Sequence, residues 1–254
     1  MSHLFYGVAY YDEYMPEDRL AKDIALMRET GINVVRIAES TWSTLEPEEG
    51  QYNFYHIDRV LEAMHEAGIA VIVGTPTYAV PAWLAAKHPD ILVTTVAGQQ
   101  KYGARQTKDI GNPTFRRYAE KIIRTLMAHV QHHPAIIGWQ LDNETKHYDN
   151  IGRYMQEGFV RSLQEKYPDL RQLNHDFGLD YWSNRIDRWQ DFPPVENTIN
   201  ASLACAFSRY QRQQVTEYLA WQAAIVREYA QPHQFVTHNF DFEWRGYSYG
   251  VAPR

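Results

Sequence analysis

A single cysteine, Cys205, is all the thiol that this 254-residue sequence contains. That excludes a disulfide framework within the chain, and a zinc cluster built on its own cysteines. Long apolar runs are missing as well. No stretch of about 18 uninterrupted apolar residues occurs, so nothing reads as a membrane span. An excess of basic charge is also absent: the net charge is -6, whereas a nucleic-acid surface wants a basic face. The opening Met1-Ser2-His3-Leu4-Phe5-Tyr6 has neither a basic start nor a long apolar stretch. It predicts no signal peptide and a soluble, cytoplasmic protein. The length suffices for one large domain with a real core, or two small ones.

What is abundant is aromatic. Phe, Trp and Tyr make up 14% of the chain, with 18 Tyr and 7 Trp. Such rings fill ordinary cores. They also suit a carbohydrate site, where sugar C–H faces stack on rings and hydroxyls need polar partners. Composition alone leaves both readings open.

Along the chain, strand and helix patterns alternate. Phe5 to Tyr10 reads as a first strand, and Pro16 opens a helix through Thr30. Asn33 to Ala38 is a second strand. His56 to Ala67 is a helix, with Ile57, Val60, Leu61 and Met64 at helical spacing and Gly68 as its stop. Ile69 to Gly74 is a third strand, followed by a short helical stretch from Pro81 to Lys87 and a long loop. Pro113 opens a helix to His132, and Ala135 to Leu141 is a fourth strand. Helices are predicted over 151–167, 170–177 and 202–229, with an irregular stretch from Tyr181 to Asn197. Gln234 to Asn239 is a fifth strand.

Apolar strands separated by helices imply a parallel sheet covered by helices. An open Rossmann sheet should carry a glycine-rich turn after its first strand, and Tyr11-Asp12-Glu13-Tyr14 is not one. A (β/α)₈ TIM barrel gathers its chemistry at the C-terminal ends of its strands. Polar residues recur at those ends here: Asp12, Glu39, Thr75, Asp142 with Asn143 and Glu144, and Asn239. The barrel is therefore expected, but with only five of its eight strands.

Asn143-Glu144 is the leading candidate for chemistry. A carboxyl held at a strand end, partly withdrawn from water, suits general acid work, and the adjacent amide can bond a substrate hydroxyl. The bland alternative is a solvated loop acid. Glu46, Glu48 and Glu49 read as a solvated turn, and Asp12-Glu13 has no clear assignment.

The run Trp42-Ser43-Thr44-Leu45-Glu46-Pro47-Glu48-Glu49-Gly50-Gln51-Tyr52 is long and unusual. Further runs are Thr75 to Leu84, Asn112-Pro113, His133-Pro134-Ala135, Trp139 to Glu144 and Asn239-Phe240. Together they resemble the glycoside hydrolase family 42 β-galactosidases across essentially the whole chain. The resemblance implies a retaining hydrolase of terminal β-D-galactosides with no cofactor. In it, Glu144 is the general acid/base and Asn143 bonds the galactose 2-hydroxyl. Arg105 matches the family's sugar-binding arginine, and Trp182 an aromatic lining the same pocket; Glu39 takes a supporting role. Read without the resemblance, Arg105 is a surface arginine beside Lys101 and Lys108, and Trp182 is plain core. The implied partner is a β-galactoside, small or oligosaccharide, with no nucleic acid and no membrane. The family's full-length members imply a homotrimer.

Two departures follow. Some members bind zinc through cysteines just after the arginine loop and the acid/base. Lys108-Asp109-Ile110 and Thr145 to Asp149 hold none. The family's nucleophile is a glutamate ending the seventh strand, whereas this chain reaches its fifth. Glu243 follows that fifth strand and makes a poor substitute. The expectation is that residues 1–254 are the N-terminal part of a barrel, with the nucleophile beyond residue 254 and little activity alone. A related barrel glycosidase acting on another β-glycoside, and a degenerate sugar-binding protein, remain as alternatives.

Overall fold

The structure, a computed structural model, describes residues 4–105, 107–196 and 198–241. Two compact units make it up. Of the described residues, one comprises those within 4–89, 116–145 and 219–241; the other comprises those within 90–115 and 146–218.

The first unit is built on a five-stranded sheet of β1 (Gly7–Ala9), β2 (Val34–Ile37), β3 (Ala70–Gly74), β4 (Ile136–Gln140) and β5 (Phe235–Thr237). Every neighbouring pair is parallel, and the order in space is the order in sequence. Val35 lies opposite both Val8 and Val71, and Trp139 opposite Val73 and Val236. These β-branched and aromatic residues suit a pleated, covered surface. Val35, Val71, Val73 and Trp139 are wholly buried. The register slips by one residue between Val71 and Ile72, a bulge that re-aims the end of β4.

Helices α1 (Leu20–Glu29) and α2 (Tyr55–Glu66) join the first three strands. Helix α2 buries Ile57, Val60, Leu61 and Met64, the stripe that its spacing predicts. Each such burial contributes about 1.5–3 kcal/mol. Gly68, at φ +71, takes the left-handed turn that lets the chain leave the helix. Helix α1 starts at Leu20, not at Pro16. Met15 before the proline is extended, as a residue preceding proline prefers. The Asp18 carboxylate then accepts the Leu20 N–H at 3.2 Å, capping the helix four residues later than its composition suggests.

Short α3 (Ala82–Lys87) follows β3, and α4 (Pro113–Val130) precedes β4. Asn112 Oδ1 accepts from Thr114 and Phe115, fixing the start of α4 beside a proline that needs no donor there. In the long loop before it, Thr94–Thr95 pairs antiparallel with Gly98–Gln99, a ribbon the sequence did not signal.

The second unit packs around Met155, Phe159, Leu163, Leu173, Leu179, Ile186, Val195, Leu203 and Phe207. Helices α5 (Arg153–Lys166) and α6 (Leu170–Phe177) supply part of this core, as does the start of α7 (Ala201–Arg227). Among the described residues, no helix is long and apolar enough to cross a membrane.

Candidate active site

Because all five strands of the sheet run one way, the residues that follow them share one end of it. Tyr11 and Asp12 follow β1, and Ala38 and Glu39 follow β2. Thr75 follows β3, Leu141 to Glu144 follow β4, and His238 and Asn239 follow β5. Three of these residues sit at positive φ without being glycine: Ala38 at 82°, Asp142 at 40° and Glu144 at 46°. Such backbone persists only where its surroundings over-determine it.

The surroundings are polar and buried. The Asp142 N–H donates to Thr75 Oγ1 at 2.6 Å, and that hydroxyl donates to Gln222 Oε1 at 2.6 Å. Gln222 in turn donates to Thr77, and Thr145 donates to Asp142 Oδ2 at 2.8 Å. Asp142 therefore braces the strand end. The Glu144 N–H donates to the Asn239 carbonyl at 2.9 Å, extending the β4–β5 pairing past the strands. Glu144 is only partly buried, whereas Asn143 is 5% exposed.

A second network crosses from β1 to β5. Tyr11 donates its hydroxyl to Glu39 Oε1 at 2.5 Å, and Arg36 Nη2 lies 2.9 Å from the same oxygen. Burial, reinforced by the Glu39 bond, pushes the Tyr11 hydroxyl up to about 12, so it remains a donor across the physiological range. Arg36 Nη1 donates to Gln140 Oε1 at 3.0 Å. Gln140 Nε2 donates to the Asp142 carbonyl at 2.8 Å and to Asn143 Oδ1 at 3.3 Å. Asn239 Nδ2 reaches the same Asn143 oxygen at 2.9 Å. Glu39 is 1% exposed, and its Oε2 has no hydrogen-bond partner among the described residues.

Gly74 makes this crowding possible: a Cβ there would lie 2.7 Å from Glu39 Cβ and 2.9 Å from its backbone nitrogen.

Asn143 and Glu144 thus stand together at the end of β4. Arg105 and Trp182 belong to the second unit. Arg105 is exposed and lines a cavity of about 250 Å3 with Thr95, Gln100, Thr107, Lys146 and Tyr148. Trp182 does not line that cavity. It is 69% exposed at φ 53, with its ring edge-on to Tyr181, so the plain-core reading of it fails. Lys108, expected on a cationic surface beside Arg105, is 1% exposed. Glu243 lies outside the described residues.

Glu46 also departs from expectation. It is wholly buried, accepting Trp42 Nε1 and the Gly50 N–H at 2.9 Å each, so it ties the turn together from inside. Asp12, without an assignment in the sequence, pairs with Arg59 and accepts from the Tyr10 hydroxyl at 3.3 Å. Sequence reasoning missed Arg36 and Gln140 altogether. Their signal was a charged and an amide side chain inside otherwise apolar strands.

Residues 9–251 match the family profile of glycoside hydrolase 42, described as β-galactosidase. The chain belongs to glycoside hydrolase family 42. It is 33% identical over 241 residues to β-galactosidase BgaH of Haloferax lucentense, covering 92% of this chain and 36% of that protein. Against β-galactosidase BgaA of Clostridium cellulovorans the identity is 33% over 237 residues, with the same coverage. A solved β-galactosidase from the psychrophilic Marinomonas ef1 superposes with a TM-score of 0.87 at 31% identity, covering 93% of this chain and 37% of that one. The chain therefore spans little more than a third of these relatives. Its parallel sheet and helices belong to the TIM-barrel fold of family 42, and the networks above occupy the strand ends where such barrels do chemistry.

Proposed function

We propose that this family 42 chain carries the acid/base half of a retaining β-galactosidase site. The observation that carries the reading is Glu144, immediately after Asn143 at the end of β4, with its backbone fixed by Asn239 and the residue only partly buried. Glu144 protonates the departing glycosidic oxygen, then takes a proton from the water that releases the sugar. Asn143 bonds the 2-hydroxyl, a contact that strengthens as the ring flattens toward an oxocarbenium ion. Within the second unit, Arg105 and Trp182 are the residues that the resemblance offers for sugar binding: the one lines a cavity and the other exposes its indole.

A retaining enzyme needs a second carboxyl about 5–5.5 Å from the first. The resemblance places it at the end of a seventh strand, and the sheet described here has five. We propose that the described residues supply the acid/base carboxyl and not the nucleophile, so that by themselves they bind a galactoside without turning it over.

The test is an assay of the purified chain against an aryl β-D-galactoside, together with calorimetric binding of galactose, mannose and xylose. The expected result is no hydrolysis above the blank and a preference for galactose. Turnover that Glu144→Gln abolishes would overturn the reading that the nucleophile is missing from the described residues. Equal or absent binding of all three sugars would overturn the galactoside reading.

A further inference from the structure

We propose that Gln140 is a positioning residue which, driven by Arg36, dictates which end of the Asn143 amide faces the substrate; this rests on the galactosidase reading. A guanidinium can only donate hydrogen bonds. Arg36 Nη1 meets Gln140 at 3.0 Å, so Gln140 must turn its oxygen to the arginine. An amide has one oxygen and one nitrogen, and the nitrogen of Gln140 is thereby sent the other way. There it donates to the Asp142 carbonyl and to Asn143 Oδ1. Asn239 Nδ2 donates to that same oxygen.

Two donors therefore converge on the carbonyl end of Asn143, and its Nδ2 is the end directed away from them. A reversed Asn143 would set its N–H against that of Gln140, whose orientation Arg36 holds. Gln140 is 2% exposed and Asn143 5%, so water could not relieve that clash. Arg36 is itself pinned by Tyr11 and Glu39, which keeps a cation at the head of the chain of constraints. The consequence is chemical. Asn143 offers the sugar a donor, so the hydroxyl it meets must accept, leaving that hydroxyl's own proton for another partner. Gln140 is all but closed to solvent, so its effect is carried through the orientation of Asn143.

The test uses the 254-residue chain and three readouts. The first is the melting temperature of Asn143→Asp. This variant keeps an oxygen facing Gln140 and Asn239, so it should melt within about 2 °C of wild type. A fall of about 5 °C or more would mean that the amide runs the other way, and would overturn the proposal. The second is the Asn143 side-chain NH₂ resonance, identified by its loss in Asn143→Asp. Gln140→Glu keeps the shape but sets an acceptor against Asn143 Oδ1, so the resonance should move. The third compares binding of methyl β-galactoside with its 2-deoxy analogue. Wild type should prefer the former about fivefold to tenfold, as one hydrogen bond gives, and Gln140→Glu should lose that preference. A Gln140→Glu chain with the wild-type resonance and preference overturns the relay. If wild type binds neither sugar, the galactosidase reading fails, while the melting and NH₂ readouts still decide the orientation. Should Gln140→Glu fail to fold, the melting of Asn143→Asp decides alone.

Discussion

Burial lowers the pKa of His147; the nearby Asp149 charge opposes the shift and Arg212 adds to it. The geometry agrees, because His147 Nδ1 accepts the Asp149 N–H at 3.1 Å, and a protonated ring would lose that bond. A folded pKa below the unfolded value means that the unfolded chain binds more protons, so stability rises with pH through that window. With an unfolded value of about 6.5, stability should be complete above neutrality and fall as the pH drops below it. In His147→Asn an amide oxygen replaces Nδ1 without titrating. Thermal melts across about pH 5 to 8 should therefore show a steeper loss for wild type than for the variant. Parallel curves would refute the assignment. The same scale shows what the sequence could tell. The position of Asn143 and Glu144 at a strand end was legible because an apolar strand ends abruptly in them. Arg36 and Gln140 were not, since each is one polar residue in a strand whose neighbours made the pattern, and only the fold sets them side by side. Glu46 was misread because local charge density suggests water, whereas Trp42 folds its indole back onto the carboxylate.

Elements were legible in proportion to how local their causes are. Helix α2 declares its apolar stripe and its glycine stop within a dozen residues. The start of α1 depends on a carboxylate that caps two residues ahead and is itself held by Arg59 at 2.9 Å, so the Pro16 signal misled. The two-residue strands at 94–99 are too short for any period. The join of β3 to β2 is set by Gly74, whose role appears only when strands meet. Gly74→Ala would press a methyl onto the Glu39 backbone, where nothing flexible can yield. Overpacking of that kind costs about 1–3 kcal/mol, read from the midpoint of urea unfolding. A variant with an unchanged midpoint would show that the β2–β3 spacing gives way freely. As Glu39 must move, the Tyr11 hydroxyl should titrate lower in Gly74→Ala, which ultraviolet absorbance at alkaline pH follows.

At the scale of the whole molecule, the barrel class was legible, and the described residues hold five parallel strands of it. The sheet runs β1-β2-β3-β4-β5, and among the described residues nothing pairs with the outer edges of β1 and β5. Every residue of β1 is exposed, and Leu4, Phe5 and Tyr6 before it are 81%, 54% and 58% exposed. A closed barrel has no edges, whereas an open, apolar one offers unpaired N–H and C=O groups to another chain. The 254-residue chain should therefore self-associate as its concentration rises, through strand addition at these edges. A charge on the edge blunts such pairing. Val8, at the centre of β1 and 42% exposed, is the place to put one. Val8→Lys should move the sedimentation profile toward monomer while the far-ultraviolet circular dichroism stays as in wild type. Because β1 lies outside the Gln140–Asn143 relay, galactose binding in the Val8→Lys monomer should match wild type. A wild-type chain that sediments as one monomeric species across the micromolar range would show that these edges are protected, and that the open sheet is no liability.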